Sequence, residues 1–146
     1  MIRRNCRSIL ETKNFASQLA KSIPAGNLIA LIGNLGSGKT TFTQGFAYGL
    51  GFRGRVGSPT FKLASEYSCA LHKLFHVDCY RLRNFEDFFK IGGEKYLLPI
   101  SAVTLIEWAD IIYDILPDET IIIKFNRSKN QSNTRIITVE GWDLGE

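Results

Sequence analysis

The sequence predicts a single small α/β domain: a mixed β-sheet flanked by helices. Three observations lead there. Short apolar runs alternate with amphipathic segments along most of the chain, the pattern of strands alternating with helices. A glycine-rich stretch, Gly33-Asn34-Leu35-Gly36-Ser37-Gly38-Lys39-Thr40, lies between an apolar run and a helical one. Two apolar runs near the C-terminus, separated by a polar stretch, look like paired strands. The 146 residues fit one domain, spanning 1–146, with no room for two. A composition of 45% hydrophobic and 22% charged residues is that of an ordinary folded chain.

The elements follow in order. Ile9, Leu10, Phe15, Leu19, Ala20 and Ile23 recur near helical spacing, which predicts a helix over 9–23 with one buried face. Pro24-Ala25-Gly26 ends it. Leu28 to Ile32 is a continuous apolar run of the buried-strand type. A helix is expected from about Lys39 to Leu50, with Gly51 and Gly54 at its exit. Residues 56–67 read as extended, broken near Pro59. Residues 73–80 predict a strand carrying Asp78 near its end, and 85–91 an amphipathic helix. Ala102 to Ile106 is a second buried run, ending in Glu107 and Trp108. A helix is expected over 109–116, closed by Pro117. Strands are expected at 121–125 and 135–139, with the loop 126–133 between them.

The glycine-rich stretch matches G-x-x-x-x-G-K-[ST] in full, in the strand-then-helix context that gives the pattern meaning. The fold expected is therefore that of a P-loop NTPase. The glycines permit backbone torsions that turn successive N–H groups onto an anion. The start of the following helix adds partial positive charge. Lys39 can reach the outer phosphates, and the Thr40 hydroxyl can ligate Mg²⁺, a hard cation that prefers oxygen. Such a site also needs carboxylates to position the metal and orient an attacking water. Two stand at strand ends, Asp78 after LFHV and Glu107 after AVTLI, and the division of roles between them is open. Thr60 in Ser58-Pro59-Thr60 has the position of a phosphate sensor, or of a simple proline turn.

No N-K-x-D run marks a preference for guanine, so ATP is the expected nucleotide. Few residues remain for the acceptor pocket of a small-molecule kinase, although Arg81 and Arg83 offer a small lid. Hydrolysis, or a nucleotide switch read by a partner, fits the length better. The net charge of +4 permits a polyanionic partner without demanding one. Arg3, Arg4, Arg7, Arg127 and Lys129 read as solvated surface charge. Three cysteines without a CxxC pair argue against structural zinc and a disulfide framework, and for reduced thiols in the cytoplasm. Neither a signal peptide nor a bilayer-spanning run is visible.

The segments GNLGSGKTT, GLGFRGRVGSPTF, HVDCYRL and LIEWAD, in that order, resemble the TsaE (YjeE) family, the small ATPases of bacterial tRNA threonylcarbamoyladenosine biosynthesis. The resemblance runs from about Leu10 to Val139. It implies slow, Mg²⁺-dependent ATP hydrolysis in the service of a TsaD–TsaB transferase complex, with tRNA met only through that complex. The second substrate would then be a protein assembly. The resemblance further implies that Asn34 to Thr41 wrap the phosphates, that Thr40 and Glu107 position Mg²⁺, and that Asp78 stands near the γ-phosphate. Thr60 would belong to a switch-like segment, and Trp108 would pack beside the site or serve as a core aromatic. Ile9, Glu11 or Thr12 would lie near the adenine, Arg135 would approach the nucleotide, and Arg81 would face the partner. Three departures stand out: Ala16 replaces a glycine common in relatives, Lys62 replaces a threonine, and IGGEKYLLPISAVTLIEW lacks an acidic residue often found there.

Overall fold

The chain begins with a strand that its charged composition conceals. Ile2–Cys6 (β1) is followed by Ile9–Ser22 (α1), Leu28–Ile32 (β2), Lys39–Gly49 (α2), Ala64–Tyr67 (β3) and Lys73–Asp78 (β4). Then come Phe85–Lys90 (α3), a 3₁₀ turn at Gly93–Tyr96, Ala102–Glu107 (β5), a 3₁₀ segment at Ala109–Ile115, Ile121–Arg127 (β6) and Arg135–Glu140 (β7). This computed structural model describes residues 1–34, 36, 38–57, 63–131 and 133–145. No helix among the described residues is long and apolar enough to cross a membrane.

Among the described residues, seven strands form one mixed sheet in the order β1-β7-β6-β2-β5-β4-β3. β6, β2, β5 and β4 run parallel, and β7, β1 and β3 add antiparallel edges. The central strands explain their own composition. Leu28 to Leu31 and all of β5 are buried on both faces, so the sequence there is a continuous apolar run rather than an alternation. On one face α1 and α2 close a core built around Phe15, Leu19, Phe42 and Phe46. Phe42 meets Phe125 of β6 edge-on at 5.4 Å. The other face is covered by α3 and the two 3₁₀ segments, around Val77, Phe88 and Ile106.

Local chemistry fixes the helices that flank the site. Ser8 caps α1 by accepting the Glu11 N–H at 3.1 Å, and the Glu11 carboxylate accepts the Arg7 N–H at 3.2 Å. Ser8-Ile9-Leu10-Glu11 has the S-x-x-E spacing of a capping box, but Glu11 bonds the N–H of Arg7, one residue before the cap. Gly45 of α2 permits close approach of α1, since a Cβ there would lie 2.5 Å from the Lys13 backbone.

Three expectations change. β1 was not foreseen; its Arg3 and Arg4 mask a strand that pairs with β7 from the far end of the chain. The helix expected over 109–116 is present at 109–115 as a 3₁₀ helix, with a break at Ile112, where φ is −113°. In 56–67 only Ala64–Tyr67 is strand among the described residues, and Ser58-Pro59-Thr60 lies outside them.

Candidate nucleotide-binding site

The site forms where the parallel strands end. β2 runs into the glycine-rich loop, and α2 begins from Gly38, whose φ of +106° suits glycine and little else. Beside it β4 and β5 pair in register, with Asp78 directly opposite Glu107. Both strand-end carboxylates are therefore delivered to the mouth of the loop by one ladder.

A cavity of about 780 Å³ opens here, a volume in the usual range for small-molecule sites. Its wall includes Gly36, Gly38, Lys39, Thr40 and Thr41 of the loop and α2, together with Asp78, Glu107 and Trp108. The start of α1 contributes Ile9 and Thr12, and β7 contributes Arg135. Of the three residues considered for the adenine end, Ile9 and Thr12 line the cavity and Glu11 does not. Ile9 is exposed and offers an apolar surface to a base, whereas Glu11 is engaged in capping α1. Gly33 and Asn34 also stand outside the lining, and Leu35, Ser37 and Thr60 fall outside the described residues.

The polar groups are held in specific relations. The Thr40 hydroxyl donates to Glu107 Oε1 at 3.3 Å. The Lys39 ammonium donates to the Gly33 carbonyl and sits 3.8 Å from the centre of the Trp108 ring. Burial pushes the Lys39 ammonium down from its ordinary value, while Glu107, Asp110 and Asp78 oppose that shift. Burial also raises the Asp78 carboxyl; the Tyr80 N–H, donating to it at 2.9 Å, pulls the other way. Trp108 has a positive φ of 56°, uncommon for a bulky residue, which turns the chain sharply at the end of β5. Its ring packs against Tyr80 at 5.0 Å, and Trp108 both lines the cavity and packs against the core around Val77 and Ile106.

The chain matches the family model for "Threonylcarbamoyl adenosine biosynthesis protein TsaE" over residues 6–137. It belongs to the TsaE family. It is 37% identical to the Bacillus subtilis tRNA threonylcarbamoyladenosine biosynthesis protein TsaE over 131 residues, 90% of this chain and 81% of the relative. It is 35% identical to the Haemophilus influenzae TsaE over 126 residues, 86% of this chain and 79% of the relative. The crystal structure of Bacillus subtilis YdiB superposes with a TM-score of 0.76 at 33% identity, covering 94% of this chain and 83% of that one. The single α/β domain with its mixed sheet is the architecture of a TsaE protein.

Two residues of the site were not singled out from the sequence. His76 of β4 is fully buried, with Nε2 2.5 Å from Glu107 Oε2. Arg127, read as surface charge, donates to the Gly36 carbonyl at 3.0 Å, and Arg135 donates to the same oxygen at 3.3 Å. These arginines face each other across the β6–β7 pair. Like charges placed opposite are ordinarily unfavourable, and the shared carbonyl acceptor explains the arrangement. The alternating pattern of 121–127 was the available signal for Arg127; for His76 it was a lone histidine in an apolar strand two residues before Asp78.

Proposed function

We propose that this TsaE-family chain binds ATP with Mg²⁺ in the cavity between the glycine-rich loop, α1 and the ends of β4 and β5, and hydrolyses it slowly. The observation that carries this reading is the convergence of Lys39, Thr40, Asp78 and Glu107 on one cavity wall. The donor set suits the metal. Thr40 and Glu107 present two hard oxygen donors side by side, and Mg²⁺ typically takes one or two protein oxygens and completes its shell with phosphate and water.

The residues divide the work. Lys39 exchanges the Gly33 carbonyl and the Trp108 face for the outer phosphates. The backbone N–H groups of the loop and the start of α2 hold phosphate oxygens. Thr40 and Glu107 hold Mg²⁺, which neutralises charge developing on the phosphoryl oxygens. Asp78, raised by burial, is suited to orient the attacking water and accept its proton. Thr60 contributes to a switch-like segment, and Ile9 and Thr12 flank the base.

A chain of 146 residues leaves few for an acceptor domain beside the nucleotide site. The product of the cycle is therefore a conformational change read by a partner, the TsaD–TsaB transferase complex of tRNA threonylcarbamoyladenosine synthesis, with tRNA bound by that complex. The test is ATP turnover by the purified chain, alone and with TsaD–TsaB and tRNA. Slow turnover that rises with the complex is expected. Turnover indifferent to the complex, or phosphorylation of a small acceptor, would overturn the assignment.

A further inference from the structure

We infer that His76 is a positioning residue for Mg²⁺: it fixes the Glu107 carboxylate so that one oxygen remains directed at Thr40 and the metal. The inference rests on the nucleotide-site reading above and concerns a residue that sits behind the cavity wall.

Glu107 is almost wholly buried, at 3% exposure, and its two oxygens are divided. Oε1 faces the cavity and accepts the Thr40 hydroxyl at 3.3 Å. Oε2 faces back into the sheet, where His76 Nε2 lies at 2.5 Å. A carboxylate oxygen accepts, so the ring nitrogen donates. Register explains the meeting. Asp78 pairs with Glu107 and His76 with Leu105 on adjacent parallel strands, which places the imidazole one pleat behind the carboxylate.

The surroundings narrow the role further. His76 is 0% exposed, and its other ring nitrogen, Nδ1, has no hydrogen-bond partner among the described residues. A histidine at such a position leaves a polar atom buried without a bond, which is unfavourable. An aliphatic residue would fill the strand interior without that cost. The bond to Glu107 is the compensating contact. A carboxylate free to rotate about its χ angles would present either oxygen, or neither, to the metal; a buried N–H donor selects one orientation. Outer partners of metal-holding carboxylates act in this way, and their loss typically weakens metal affinity 10–100-fold.

The test measures binding rather than turnover. The dissociation constant of a non-hydrolysable ATP analogue is determined by calorimetry in Mg²⁺ and again in EDTA, and the ratio gives the metal-dependent gain. Three variants are compared with the native chain. His76→Leu removes the donor, His76→Gln places an amide N–H near the Nε2 position, and His76→Asn places one nearer Nδ1. His76→Leu and His76→Asn are expected to reduce the metal-dependent gain by about tenfold or more, with affinity in EDTA unchanged. His76→Gln is expected to keep the gain within about threefold. Thermal melts run in parallel, because a purely structural role would lower the melting temperature and leave the ratio intact. Equal gains in all three variants would overturn the inference, as would a loss in His76→Gln as deep as in His76→Leu. Should His76→Leu not fold, the contrast between Gln and Asn decides alone. A native chain that binds the analogue without any metal-dependent gain would overturn the metal-site reading itself, and the inference with it.

Discussion

The parallel and antiparallel halves of the sheet meet the same loop with different chemistry. In the parallel half, β2, β5 and β4 deliver side chains from their C-terminal ends: Glu107 and Asp78 stand in register, and Lys39 and Thr40 begin the next helix. Lys39 and Glu107 are buried and Thr40 and Asp78 half-buried, and all four line the cavity. In the antiparallel half, β7 and its hairpin partner β6, which borders the parallel set, send two guanidinium groups to the Gly36 carbonyl of the loop. Arg127 is exposed and does not line the cavity. On the proposed reading, one half supplies groups that would act on the nucleotide, and the other braces the loop backbone that would hold it. Substitutions in the first half should alter nucleotide binding, metal binding or turnover strongly, and those in the second should weaken affinity modestly and leave turnover alone.

The largest effect is expected at Lys39. Lys39→Ala removes a buried cation that would make charge-assisted bonds to the outer phosphates. Nucleotide affinity should fall by about two orders of magnitude, at roughly 1.4 kcal/mol for each tenfold, measured by calorimetric titration. An affinity within threefold of native would break the comparison at its strongest point. Glu107→Gln comes next and sharpens the contrast. It keeps the shape of the side chain but withdraws the charge offered to Mg²⁺. Steady-state hydrolysis should fall on the order of a hundredfold, while binding in EDTA stays near native.

The antiparallel half offers the counter-test. Arg127→Ala leaves Arg135 as the remaining donor to Gly36. Affinity should weaken by about fivefold, the equivalent of one hydrogen bond from a charged group partly screened by solvent, with turnover at saturating ATP unchanged. A fall in turnover matching that of Glu107→Gln would erase the distinction between the halves.

How much of this was legible in the sequence follows the same division. The parallel half could be read almost whole, because its signals are local. An apolar run, a glycine pattern and a helix are contiguous, and Asp78 and Glu107 each end a strand of their own. In the antiparallel half the β6–β7 hairpin was legible, but β1 depends on pairing across nearly the whole chain. β1 carries Arg3, Asn5 and Arg4 between the buried Ile2 and Cys6, so it lacks an apolar signature and becomes a strand only against β7. Charge on an edge strand is normal and hides it from pattern reading. Arg127 and Arg135 meet only once the β6–β7 register is set. His76 shows the same limit inside the parallel half: its partner lies 31 residues away, and only the β4–β5 register brings them together. The helix after Trp108 was legible but its 3₁₀ form was not, because apolar spacing does not distinguish 3₁₀ from α, and the positive φ at Trp108 is not encoded by a glycine.

The smallest effect concerns what the parallel half costs the fold. Burial raises the Asp78 carboxyl above its ordinary value of 3.8, and nearby Glu107 adds to the rise. A group raised on folding contributes stability that is full below its unfolded value and is lost as pH climbs through the folded one. At neutral pH the ligand-free chain therefore carries an ionised carboxylate that folding disfavours. Asp78→Asn removes that charge, and its side-chain oxygen can still accept the Tyr80 N–H. In metal-free buffer the variant should be more stable than the native chain at pH 7 by on the order of 0.5 kcal/mol, within the usual range for a substitution outside the packed core. The gain should shrink as pH falls through the raised folded value of Asp78 and be lost below the ordinary value of 3.8, where the native carboxyl is protonated in both states. Paired thermal melts across that range give the answer. A gain that ignores pH would mean that the substitution acts through packing, and that the Asp78 carboxylate is not held against the stability of the fold.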